Sequence, residues 1–213
     1  MDKTARTIAS YNASAAGFAE KFMDFPTYRE KILLFQRTCL AEAETVLDLG
    51  CGPGNLAKIL HDSNPAYRIT GIDLSEEMVI LASRNVPGGT FLCADIRQLD
   101  LTETFDAVLA SFCIVHLDEQ ETRRFVKRLG SLLNPNGALY LSFIEGNGGG
   151  FETTSFSEKQ IYFHYYRQPE VIDLLIGSEL IPQQIFREDY REQDGSLSRE
   201  VFVFARKTSA DEN

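Results

Sequence analysis

The spacing of apolar residues changes along the chain. From about Thr4 to Glu42 they recur at helical intervals, with Phe18, Phe22, Phe25, Tyr28, Ile32, Leu33 and Phe35 building one face that is broken once, at Pro26. Two helices are predicted ahead of the core. Short apolar runs then alternate with helical ones: TVLDLG, NLAKILHDS, YRITGIDL, EEMVILASRN, GTFLCAD, FDAVLASFCIV, DEQETRRFVKRLGSLL and GALYLSFIE. Alternating strand and helix argue for an α/β fold, a parallel sheet covered on both faces.

The punctuation between elements agrees with that pattern. Ser75 ahead of Glu76, Glu77 and Met78 offers an N-cap and an acidic first turn, which complements the helix dipole. The helix from Asp118 to Leu133 is predicted to stop at Asn134-Pro135-Asn136-Gly137. Gly146 to Gly150, with three consecutive glycines, reads as a flexible hinge or lid loop. Beyond it a helix is expected at about Pro169 to Ser178, followed by the runs QQIFREDYRE and SREVFVFARK joined through Asp194-Gly195, a hairpin signal. An antiparallel hairpin is therefore predicted to end a sheet that is parallel until then. The organisation expected is a single domain over residues 1–213: helical lid at 1–43, core at 44–145, flexible acceptor-side segment at 146–168, and last helix with terminal hairpin at 169–213.

Composition narrows the partners. A chain of 213 residues, 44% hydrophobic and 24% charged, suits one soluble domain, and no apolar run nears the roughly 18 residues of a membrane span. The start, MDKTARTIASYNASAAGF, lacks the apolar core of a secretory signal, so a cytoplasmic location is expected. Cys39, Cys51, Cys93 and Cys113 form no CxxC pair and have no histidine at metal spacing, which predicts reduced, mostly buried thiols and no metal site. A formal net charge of -10 argues against nucleic acid, whose phosphates call for clustered Lys and Arg, and favours a small-molecule partner.

Chemistry enters at VLDLGCGPG, Val46 to Gly54. Gly50, Gly52 and Gly54 stand at alternate positions rather than in the GxGxxG spacing of a nicotinamide dehydrogenase. They fall where a strand turns into the first core helix, beyond the carboxyl end of the strand, where open α/β sheets bind ligands. Glycines there admit close backbone approach to a ligand; a tight packing turn is the competing reading. Asp48 is an unusual residue for a buried parallel strand, because a buried carboxylate is costly unless paired, and a cationic ligand group would pair it. The second strand ends at Asp73, at the separation where an acidic residue accepts from a ribose diol. The third ends at Cys93-Ala94-Asp95-Ile96, on the same rim.

These residues together resemble the class I S-adenosylmethionine-dependent methyltransferases. The resemblance is carried by Asp48-Leu49-Gly50-Cys51-Gly52-Pro53-Gly54, Gly71-Ile72-Asp73-Leu74-Ser75, Ala94-Asp95-Ile96, Phe105-Asp106-Ala107-Val108 leading to Ser111 and His116, and Leu133-Asn134-Pro135-Asn136-Gly137. It runs over roughly Thr45 to Ile144. It implies a doubly wound, Rossmann-like, seven-stranded, mostly parallel sheet, with S-adenosyl-L-methionine as cofactor and S-adenosyl-L-homocysteine as product. By the same resemblance the loop of Asp48, Gly50, Cys51, Gly52 and Gly54 cradles the donor's amino-acid end and sugar. Asp73 binds the ribose, Leu74 and Met78 flank the adenine, Asp95 and Ile96 hold its polar edge, and Ser111 lies beside the donor. Plain helix packing for Met78 and a helix N-cap role for Asp95 are the alternatives.

Methyl transfer is an in-line displacement, so a base is required only where the acceptor carries a proton at neutral pH. His116, in SFCIVHLD, is placed on the acceptor rim as base or orienting group. His164 lies in the aromatic run IYFHYYRQPEV, where Tyr162, Phe163, Tyr165 and Tyr166 could wall an acceptor pocket, or simply pack. His61, at a helix end, is expected at the surface. The segment SYNASAAGFAEKF resembles the lid helix of small-molecule members, with Tyr11 as the residue reaching in. The reading is methyl transfer to a small-molecule acceptor. Its rivals are a protein or RNA acceptor, disfavoured by the charge and by SFCI where base N-methylation would show an NPPY-like tetrapeptide, and a donor-binding module without turnover.

Overall fold

The computed structural model describes residues 2–192 and 194–208. Two helices come first, α1 (Lys3–Phe22) and α2 (Pro26–Cys39), with Pro26 as the first residue of the second. The core follows as β1 (Thr45–Leu49), α3 (Asn55–Ser63), β2 (Arg68–Asp73), α4 (Glu76–Asn85), β3 (Thr90–Cys93), β4 (Phe105–Ser111), α5 (Glu119–Leu132) and β5 (Leu133–Glu145). A small hairpin, β6 (Gly148–Thr154) and β7 (Ser157–Tyr165), precedes α6 (Gln168–Ile176), and β8 (Leu180–Arg191) and β9 (Leu197–Lys207) close the chain. Seven strands form one sheet in the order β3-β2-β1-β4-β5-β9-β8. The pairs from β3 to β5 are parallel, and β9 is antiparallel to both β5 and β8.

Two apolar cores cover the two faces of this sheet. Along β5, Leu139, Leu141 and Phe143 enter one core while Ala138 and Tyr140 enter the other; along β9, Val201, Val203 and Ala205 oppose Phe202 and Phe204. Both parities are apolar because helices sit on both faces, as burial of a parallel sheet requires. Helix α5 packs on the first core and α2 with α3 on the second. The chain order reverses between β1 and β4, and the crevice at such a switch point is where open α/β sheets take ligands. Among the described residues no helix is long and apolar enough to cross a membrane.

Two expectations change here. The segment 146–168, read as flexible around Gly146–Gly150, is an antiparallel hairpin with Gly149 opposite His164 and Phe151 opposite Tyr162. Gly149 permits close approach there, since a Cβ on it would lie 2.4 Å from the Phe163 carbonyl oxygen. The cysteines are not mostly buried: Cys51 and Cys113 are, Cys39 is partly covered, and Cys93 is exposed because β3 is an edge strand.

Candidate active site

The carboxyl ends of β1, β2 and β4 open into one cavity of about 990 Å³, roofed by α1 and by the β6–β7 hairpin. Its floor begins with the glycine loop. Gly50, Gly52 and Gly54 all have positive φ, 68°, 53° and 80°, a left-handed conformation that L side chains rarely adopt. The three glycines differ in what they face. A Cβ on Gly50 would lie 2.7 Å from the Cys113 Cβ, whereas one on Gly54 would meet the Ala82 backbone at 3.2 Å. Gly50, Cys51 and Gly52 line the cavity; Gly54 heads α3 and lets α3 and α4 pack closely.

Two carboxylates stand behind this loop. Asp73 accepts from the Gly52 N–H (2.9 Å) through one oxygen and from the Ser75 N–H (2.8 Å) through the other. Burial raises its pKa, and these backbone donors oppose the rise. Asp48 is 2% exposed, and its Oδ2 has no hydrogen-bond partner among the described residues. Burial, together with the nearby charge of Asp73, pushes the Asp48 carboxyl up to about 7.

The flanks of the cavity hold further residues expected from the sequence to meet a donor. Ser75 caps α4 by accepting from the Met78 N–H, which fixes the buried Met78 side chain on the cavity wall with Leu74 and Ile96. Asp95 also lines it, but both its oxygens are engaged by the Arg97 guanidinium, and it caps the short turn that follows through the Arg97 N–H. Thus the N-cap alternative describes its geometry. Ser111 shares a hydrogen bond with Ser142 (3.0 Å) at the end of β4.

Tyr11 of α1 and His116 meet in the same cavity. The Tyr11 hydroxyl lies 2.9 Å from His116 Nε2, and His116 Nδ1 lies 2.8 Å from the Tyr162 carbonyl oxygen. A carbonyl only accepts, so Nδ1 carries the proton and the bare Nε2 accepts from the phenol. Burial lowers the imidazole to about 4, against the raising effect of that carbonyl, and burial also raises the Tyr11 phenol. His164 does not line the cavity: its ring packs on Tyr166 and its Nδ1 meets the Tyr162 hydroxyl at 3.4 Å. Of the aromatic run, Phe163 and Tyr165 face the cavity.

Several cavity residues have no local sequence signal. Tyr28 donates to Glu200 (2.7 Å) across 172 positions. Phe112, at φ 50°, breaks from β4 and turns its ring to within 5.2 Å of Tyr28. Arg97 also belongs to this group, and behind the cavity wall Asn12 accepts from the Ser75 hydroxyl at 2.6 Å. Among the described residues no group of three or more His, Cys, Asp or Glu is placed to hold a metal ion.

Fold and site together define an open α/β protein with an acid-backed glycine loop at its switch point. Residues 46–137 match the family model described as "Methyltransferase domain". The matched residues run from β1 through α5 and carry the glycine loop, Asp73 and Asp95. Trans-aconitate 2-methyltransferase of Shigella flexneri is 40% identical over 111 residues, 52% of this chain and 43% of the relative; that of Escherichia coli O157:H7 is 39% identical over the same lengths. The chain thus spans less than half the length of these curated relatives. Among solved structures, the 1,6-didemethyltoxoflavin-N1-methyltransferase of Burkholderia thailandensis shares the fold with a TM-score of 0.72 at 23% identity, covering 97% of this chain and 89% of that one. The N-methyltransferase NodS of Bradyrhizobium japonicum does so with 0.70 at 17% identity, covering 95% and 98%.

Proposed function

We propose that this chain binds S-adenosyl-L-methionine in the loop half of the cavity and transfers its methyl group to a small-molecule acceptor in the half under α1 and the β6–β7 hairpin. The observation that carries the reading is the buried Asp48 carboxylate with an unpartnered oxygen behind a left-handed glycine loop. An ammonium group such as the donor's would pair it. Asp73 keeps lone pairs on both oxygens beyond those used by Gly52 and Ser75, enough to accept from a ribose diol. Met78, Leu74 and Ile96 offer an apolar slot for the adenine. Gly54 belongs to helix packing in this reading, and Asp95 acts through Arg97. Ser111 stays beside the donor.

When bound, the donor supplies an electrophilic methyl on a sulfonium. The protein's share is to hold a nucleophile in line in a site shielded from water and to take its proton where it has one. The Tyr11 oxygen, whose own proton points to His116 Nε2, can accept that proton while passing its own to the imidazole. His164 has no part in this step. Relatives named for trans-aconitate and toxoflavin substrates support a metabolite-sized acceptor, as does the cavity's size. A donor-binding module without turnover is less favoured, because a neutral acceptor pair stands ready beside the donor half.

Calorimetric titration with S-adenosyl-L-methionine tests the site. Asp48→Asn and Asp73→Ala should each weaken binding about ten- to a hundredfold, the worth of a lost charge-assisted hydrogen bond. Wild-type affinity in both variants would remove the assignment. Transfer of a labelled methyl group to the low-mass fraction of a cell extract would then test the acceptor class.

A further inference from the structure

The acceptor half is built by elements outside the matched residues 46–137: α1, α2, the β6–β7 hairpin and the β8–β9 pair. Its charges are one-sided. Glu145, Glu152, Glu192, Asp194 and Glu200 all line the cavity. Among the described lining residues the one Lys or Arg is Arg97, whose guanidinium is already held by Asp95, Glu121 and Thr4. A polycarboxylate acceptor would meet no available cation there and would be repelled, at several kcal/mol for like charges brought together.

Glu200 differs from the other four. Glu145 has Arg187 at 3.6 Å, Glu152 accepts from the Tyr165 hydroxyl, and Glu192 and Asp194 belong to the outer end of the β8–β9 pair. Glu200 is 5% exposed and accepts from the Tyr28 hydroxyl, and among the described residues no Lys or Arg nitrogen lies within 4 Å of it. It continues the β9 face of Phe202 and Phe204 toward the rim, replacing an apolar side chain with a carboxylate where the row reaches the cavity. Aromatic rings surround that point: Tyr28 and Phe112 line the cavity with Phe22 and Tyr190, and Tyr28 and Phe112 pack on Phe202 at 6.2 and 5.7 Å. A buried carboxylate among aromatic faces favours an organic cation, through an ion pair and through attraction to the ring faces. Phe112 holds its ring in this group at a positive φ, a conformation that costs about 1–3 kcal/mol and marks functional positions.

Resting on the methyltransferase reading above, we infer that the acceptor carries an amine on an apolar or aromatic body, and that Glu200, with Tyr28 and Phe112, is the group that receives it. Glu200 is then a specificity-determining residue, and the methylated atom is the one presented to Tyr11 in the same cavity.

The test is calorimetric titration of protein saturated with S-adenosyl-L-homocysteine, using benzylamine, 2-phenylethylamine and tryptamine against 3-phenylpropionate and trans-aconitate. At least one amine should bind measurably and at least about tenfold more tightly than either carboxylate. Glu200→Gln, which keeps an acceptor for Tyr28, should weaken the amine about ten- to a hundredfold while leaving S-adenosyl-L-homocysteine within about twofold. Tighter binding of a carboxylate, no amine binding to the loaded protein, or unchanged amine affinity in Glu200→Gln would each overturn the inference. Failure of S-adenosyl-L-homocysteine itself to bind would count against the donor site instead, and the amine series on the unloaded protein would still report on Glu200.

Discussion

His116 is held neutral by its surroundings. Its Nδ1–H is committed to the Tyr162 carbonyl and its ring is lowered to about 4 by burial, so at neutral pH Nε2 is an acceptor with Tyr11 as its donor. Protonating His116 removes the lone pair that must receive the Tyr11 proton. For an acceptor that loses a proton, kcat measured with donor and acceptor saturating, so that Asp48 and Glu200 are already paired, should therefore hold level down to about pH 5.5 and fall with a midpoint near 4, rather than near the ordinary 6.5 of histidine. Tyr11→Phe should reduce kcat about a hundredfold or more and remove this acid limb, since the residual rate no longer passes through the imidazole. A rate–pH profile of both proteins checks it; an acid limb that persists unchanged in Tyr11→Phe would exclude the relay. The position of His116 was legible in the sequence, because a residue just beyond a core strand must stand on the ligand rim. Its tautomer was not, because that depends on a carbonyl 46 residues away.

At the scale of elements, α1 is fastened to the core and to the β6–β7 hairpin by polar contacts. Lys3 pairs with Asp118 and Glu121, the two residues of the capping box that starts α5. Arg97 joins Thr4 to Glu121 and Asp95, Ser10 donates to the Gln160 carbonyl, and Asn12 reaches the cap of α4. Arg97→Ala should loosen the start of this helix without dissolving the core: amide exchange in residues 3–12 should quicken about tenfold, and donor affinity should fall several-fold through Asp95. Hydrogen exchange with and without the donor decides it, and unaltered protection of α1 would show that its apolar face suffices. The two N-terminal helices and the core alternation could be read from apolar spacing alone. The fastening could not, since Lys3 and Asp118 are 115 residues apart. The β6–β7 hairpin was misread for a related reason: consecutive glycines weaken an isolated strand, but here pairing with β7 holds the strand, and the close approach of Phe163 requires a glycine at Gly149.

Across the whole molecule, a net charge of -10 is concentrated where it does most against the fold and most for a cationic ligand. Asp48 and Glu200, which line one cavity, are each pushed up to about 7. For Glu200 the causes are burial first, opposed by the Tyr28 hydroxyl, then the charges of Glu192 and Glu188. A carboxyl whose folded pKa lies above its unfolded value binds more protons in the native state, so stability is lost as pH rises from about 4.5 to about 7. Asp106 and Asp118, lowered to about 2 by backbone and side-chain donors, act in the opposite sense, but their window lies below about 4 and does not overlap. Glu200→Gln removes the titration and keeps the hydrogen-bond acceptor. It should therefore unfold at higher urea than wild type at about pH 8, by up to about 3 kcal/mol, with the gap closing toward about pH 5. Urea melts at a series of pH values measure it directly. Parallel curves for the two proteins would mean that Glu200 ionises at its ordinary value, solvated in the cavity and too loosely held to select an amine. A gap that opens with pH and closes again when an amine is added would mean that the strain of the buried carboxylate is relieved by the ligand, which couples the fold's stability to its choice of acceptor.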